Sequence, residues 1–99
     1  MRVFISQPMR GKTDEEIRKI RADVTDCVKE MFGCDVEVME SIFVDEHEPL
    51  CYLGRSIAMI AEAELVCFAP GWSKARGCRI ENMAAHEYGK PIFEMFGKD

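Results

Sequence analysis

The sequence predicts an α/β domain in which a parallel sheet carries helices on both faces. Three observations predict it. Short β-rich segments alternate with amphipathic helical segments along the whole chain. The segment ELVCFA at 64–69 is a nearly unbroken apolar run of the kind a central, doubly covered strand requires. The 99 residues, 47% apolar and 31% charged, suit one hydrophobic core, so residues 1–99 are read as one domain.

Arg2–Ser6 (RVFIS) is the first strand, and Gln7–Lys12, with Pro8 and Gly11, is the loop that leaves it. Thr13 and Glu16 form the capping-box pattern T-x-x-E, so a helix is expected to start near Asp14. Ile17, Ile20, Val24, Cys27, Val28 and Met31 recur at spacings of three and four, one apolar helical face that Gly33 terminates. Val36–Met39 is the second strand, followed by an acidic loop through Pro49. Leu50–Ala63 reads as a helix with Leu53, Ile57 and Ile60 on one face. Glu64–Ala69 is the third strand, Pro70–Gly77 a loop, Cys78–Tyr88 a helix stopped by Gly89 and Pro91, and Ile92–Met95 the last strand.

The order β-α-β-α-β-α-β with right-handed crossovers leads to a flavodoxin-like three-layer sandwich. Its four-stranded parallel sheet should have the strand order 2-1-3-4. Such sheets bind ligands beyond the carboxyl ends of the strands where the order reverses, here between the first and third strands. The loops at that crevice are Gln7–Lys12 and Pro70–Gly77.

Charge points to the same place. The net charge of −5 argues against a nucleic-acid polymer as partner. Residues 1–13 nevertheless carry Arg2, Arg10 and Lys12 without an acid, and residues 65–80 carry Lys74, Arg76 and Arg79 without an acid. Two basic stretches meeting at one crevice make a local anion site. No apolar run reaches the ~18 residues of a membrane span, and no secretory leader pattern opens the chain. Five cysteines without a CxxC pair suit a reducing compartment, so a cytoplasmic location is expected. Asp45, His47 and Glu48 lack metal-ligand spacing, and neither a metal nor another cofactor is predicted.

Residues 6–13, SQPMRGKT, differ from the phosphate-binding G-x-x-x-x-G-K-[ST] loop only by Ser6 at the first glycine. Pro8 removes a backbone donor, and the third strand ends without the aspartate that would hold magnesium, so a nucleotide-triphosphate site is not expected. An anion seat made by Arg10, Gly11 and the following helix N-terminus is the alternative. In the second loop, a helix starting at Gly77 or Cys78 places Glu81 in its first turn. There the macrodipole favours the ionised carboxylate, either as a nucleophile or simply as a helix stabiliser. The same position predicts Cys78 as the most reactive thiol.

The segments FISQPMRG and GWSKARGCRIENMAAHEYGKPI together resemble the nucleoside 2-deoxyribosyltransferase-like superfamily, in particular its short bacterial and phage members. The resemblance covers nearly the whole chain. Its signature G-x-x-x-E-x-x-x-A-x-x-x-G-K-P reads as Gly77, Glu81, Ala85, Gly89, Lys90 and Pro91. It implies cleavage or transfer at the N-glycosidic bond of a nucleoside or its 5′-monophosphate, with Glu81 attacking C1′ of the sugar as a retaining glycosidase carboxylate does. On this reading Arg10, Gly11, Arg76, Gly77 and Arg79 are expected to hold the phosphate or the sugar's 5′ end, Ser6, Gln7 and Trp72 to line the base or sugar pocket, and Ser56 to be a further binding residue. Two departures stand out. Ser56 occupies the place of an aspartate found eight residues before the third strand in active members, and Phe4 that of a tyrosine in the first strand. Asp45 and Glu46 are the candidates to replace the missing acid. The alternative is a nucleotide-binding module of the same fold that has lost turnover. The partners expected are a small nucleoside or nucleotide and further copies of this chain, meeting through the helices after the second and third strands.

Overall fold

The computed structural model describes residues 1–96 except Cys34, Val44 and Glu46. The chain folds as β1 (Arg2–Ser6), α1 (Asp14–Phe32), β2 (Glu37–Val38), α2 (Pro49–Glu62), β3 (Leu65–Phe68), a 3-10 turn (Trp72–Lys74), α3 (Arg76–Glu87) and β4 (Ile92–Glu94). The four strands are all parallel in the order β2-β1-β3-β4, the topology expected of a flavodoxin-like sandwich. Ser6 stands opposite Phe68 at the carboxyl ends of the two central strands.

The alternation of side chains along a strand sorts the core into two layers. Val3 and Ile5 of β1 join Leu65 and Cys67 of β3 and pack with Val24 and Val28 of α1. Phe4 of β1 joins Val66 and Phe68 of β3 and packs with Ile60 of α2 and Ala85 of α3. By the same period Ser6 belongs to the Phe4 face, the face covered by α2 and α3. This parity brings the functional groups together.

Thr13 and Glu16 form the expected reciprocal cap at α1, and the Gly33 N–H closes its far end on the Lys29 carbonyl at 2.8 Å. Helix α2 starts at Pro49, one residue before the start read from the sequence, and Glu48 caps it by accepting from Leu50 N. The Lys90 ammonium reaches the other end of α2, donating to the carbonyls of Ala61 at 2.8 Å and Ala63 at 3.2 Å. These carbonyls lie where a helix lacks internal donors and its dipole is negative. Lys90→Met is therefore expected to cost about 1–2 kcal/mol, read as a lower urea midpoint with an unchanged slope. An unchanged midpoint would remove this role from Lys90.

Candidate functional site

Glu81 lies at the carboxyl end of the sheet, on the face of α3 that packs inward. Cys78, Glu81 and Ala85 are the buried residues of this helix, spaced three and four apart along it. Ser56 and Ile60 form the buried line of α2 in the same way. Ser6 comes from the end of β1. The Ser6 hydroxyl donates to Glu81 Oε1 at 2.6 Å, and the Ser56 hydroxyl also hydrogen-bonds this carboxyl. A carboxyl that is only 7% exposed is thus held by hydroxyls from a strand and a neighbouring helix.

Burial pushes the Glu81 pKa above its ordinary value, and the hydrogen bonds from Ser6 and Ser56 oppose that rise. The macrodipole account of its ionisation is corrected by the helix register. Helix α3 begins at Arg76, so Glu81 is in the second turn, where backbone N–H groups are paired within the helix. The carboxyl is governed by burial and two hydroxyls.

The expectation for Cys78 is overturned. It is buried, and burial drives its thiol pKa up to about 11 despite a hydrogen bond with Ser6 and the nearby Arg79 charge. Cys51, in the first turn of α2, is the exposed thiol among the described cysteines. Under native conditions Cys51 should alkylate at least about 100-fold faster than Cys78 or Cys67, followed by peptide mass mapping. Comparable labelling of Cys78 would contradict this burial. Cys67 is fully buried, with its pKa pushed up to about 12 by burial, and Cys27 is half-buried. Cys34 lies outside the described residues.

The other predicted residues divide clearly. Gln7 is buried and committed to the protein: its amide nitrogen donates to the Ile17 carbonyl at 2.9 Å, and its oxygen accepts from Arg21 at 3.3 Å. Arg21 also donates to the Met39 carbonyl, tying α1 to the end of β2. Arg10 and Gly11 are exposed on a turn closed by Lys12 N on the Met9 carbonyl at 3.1 Å. Gly11 has φ +79°, a conformation that suits glycine. Arg76 is exposed at the start of α3 with Gly77 half-buried beside it, and Arg79 donates to the Ser73 carbonyl at 3.2 Å. Trp72 packs on Phe68 at 5.5 Å and is flanked by Phe96 at 6.2 Å, so it covers the sheet end. Its buried Nε1 has no hydrogen-bond partner among the described residues.

The two helix N-termini at the crevice differ. That of α1 is closed by its capping box and carries Asp14, Glu15 and Glu16 in its first turn, which disfavours an anion there. That of α3 has no side-chain cap and no acid in its first turn among the described residues, and it brings Arg76 and Arg79. Asp45, one candidate for the missing acid, pairs with Arg55 at 3.1 Å, and the hydrogen bond from Arg55 lowers its pKa. Glu46 lies outside the described residues. Phe4 is buried in the core beneath the site.

Sequence reasoning missed Tyr52, which sits one turn before Ser56 on α2. The i, i+4 series Tyr52, Ser56, Ile60 was a readable signal for it. An open cavity of about 390 Å³ lies elsewhere, between α1 and β2, lined by residues including Arg18, Arg21, Thr25, Val38 and Glu40. It does not include Glu81. Among the described residues no helix is long and apolar enough to cross a membrane.

No curated protein and no solved structure matches the chain. Residues 1–94 match the family described as Domain of unknown function (DUF4406), and the chain belongs to that family.

Proposed function

We propose that this protein acts on the N-glycosidic bond of a nucleoside or nucleoside 5′-monophosphate, with Glu81 as the nucleophile. The observation that carries this reading is the buried Glu81 carboxyl, held by Ser6 and Ser56 at the carboxyl ends of the central strands. A carboxylate restrained in this way attacks C1′ as the bond from C1′ to the base nitrogen breaks. The departing base takes a proton from water in the crevice. The hydroxide left by that proton transfer then attacks C1′ and frees the sugar, or a second base gives its N–H proton to it and attacks C1′ to form a new nucleoside; either attack breaks the bond from C1′ to Glu81 and regenerates the carboxylate. The uncapped, basic start of α3 supports an anionic 5′ end near Arg76, Gly77 and Arg79, and the exposed Arg10 and Gly11 follow the end of the neighbouring strand β1.

The raised Glu81 pKa supplies a pH prediction. The nucleophile must be ionised, so kcat/KM should fall with acid along a limb whose midpoint lies above the ordinary 4.5. A midpoint at or below 4.5 would separate the reacting group from this buried carboxyl. The functional test is base release from ribo- and deoxynucleosides and their 5′-monophosphates, followed by chromatography. Release from at least one class supports the reading, and release from none rejects it.

A specific observation favours a second reading, a nucleotide-binding module without turnover. Ser56 stands in place of an acid and is bonded to Glu81, while Asp45 is held by Arg55. Under that reading nucleotides raise the melting temperature without losing their base. Self-association belongs to both readings. Leu50 on α2 and Ile80 and Met83 on α3 are exposed apolar side chains on the two helices expected to meet a second copy.

A further inference from the structure

The Tyr52 hydroxyl joins two loops at the rim of the Glu81 crevice. It donates to the Ser41 carbonyl at 2.9 Å and accepts from Phe43 N at 3.4 Å, both in the loop after β2. It also lies 3.3 Å from Met9 Sδ in the loop after β1. The ring packs on Phe43 at 5.0 Å, Arg55 covers Phe43 at 4.0 Å, and Arg55 binds Asp45 at 3.1 Å. The loop after β2 is therefore wrapped firmly around Tyr52.

The Met9 side is different. A phenol has one proton, and the Ser41 carbonyl is a nearer and stronger acceptor than a thioether. Met9 thus holds the weaker claim on that proton, and its side of the junction is the one that yields first. Met9 begins the turn that presents Arg10 and Gly11, and Pro8 before it approaches Gly71, where an added Cβ would lie 3.7 Å from Pro8 Cγ. Moving Met9 therefore moves the anion-facing edge of the crevice. Burial, with the Glu81 charge adding to it, raises the Tyr52 pKa above its ordinary value, so the hydroxyl keeps its proton.

We propose that Tyr52 is a positioning residue of this site: it seats the Met9–Lys12 turn against the loop after β2 and so sets where Arg10 and Gly11 meet the anionic end of a bound nucleotide. This rests on the nucleotide reading of the crevice. Two readouts test it separately from that reading. In ligand-free Tyr52→Phe, which keeps the ring, the Lys12 amide, bonded to the Met9 carbonyl across the 9–12 turn, should exchange about tenfold faster while those of β1 and β3 are unchanged. Met9→Leu, which removes the sulfur and keeps the apolar bulk, should do the same. Unchanged exchange of the Lys12 amide in both variants overturns the proposal. Affinity for deoxynucleoside 5′-monophosphates should fall about tenfold more than affinity for the matching nucleosides. Equal weakening of both points to a merely structural tyrosine and overturns it as well. If the wild-type protein binds neither class, the nucleotide reading fails and the part of the proposal that concerns ligand placement fails with it. The exchange data then decide the loop junction alone.

Discussion

Glu81→Gln is expected to lower base release at least about 10³-fold and, at neutral pH, to make the protein more stable. The two effects have one cause. A buried carboxylate can be a restrained nucleophile, and it is also costly to keep charged. Burial raises its folded pKa above the ordinary 4.5, so the folded state binds this proton more tightly than the unfolded chain. The favourable contribution is complete below pH 4.5 and is lost as the pH rises through the raised folded value. Glutamine stays neutral throughout, keeps an oxygen to accept from Ser6, and can donate to Ser56. At pH 7 the variant should therefore melt at a higher temperature than the wild type. The difference between variant and wild type should shrink toward pH 4. Lost base release with a lower melting temperature at pH 7 would instead indicate a structural carboxyl.

The second large effect is on the core beneath the site. Phe68 is fully buried in β3, packs with Phe4, Val66 and Ile60, and supports Trp72 at 5.5 Å. Phe68→Ala should cost about 3–5 kcal/mol through lost burial and the cavity left behind. Domains of this kind have only about 5–15 kcal/mol in total. The variant should therefore melt at least about 12 °C lower, with weakened nucleotide binding because Trp72 loses its floor. Denaturant unfolding followed by Trp72 fluorescence measures both the stability and that environment. A loss under about 1 kcal/mol would mean that the sheet closes over the gap.

Strong periodic signals carried through to the structure, and weak local ones did not. The unbroken apolar run of β3 and the alternation of elements were enough for the strand order, because right-handed crossovers leave few alternatives. The T-x-x-E pattern located the start of α1 at Asp14. The start of α3 had no comparable mark: Ala75 caps it without a side-chain bond, so the helix begins two residues earlier than read. That shift moved Glu81 from the first turn to the second and changed the physics of its carboxyl. The burial of Cys78 was legible in its three-residue spacing from Glu81 and seven from Ala85. The basic charge around it favours a thiolate only where the sulfur is open to solvent, and burial removes that condition. Gln7 illustrates a harder case, since its partners, the Ile17 carbonyl and Arg21, become neighbours only when the chain turns into α1. Strand β2, two residues long, was overestimated because only Glu37 and Val38 pair with β1.

Glu81 is expected to form a covalent bond to the sugar, and that bond is what makes it a nucleophile. It is tested most directly by intact-protein mass spectrometry of acid-quenched reactions with nucleosides and their 5′-monophosphates. A sugar adduct is expected on the wild-type protein, mapping to the peptide that contains Glu81 and absent from Glu81→Gln. Base release without such an adduct, or an adduct on another residue, would contradict it.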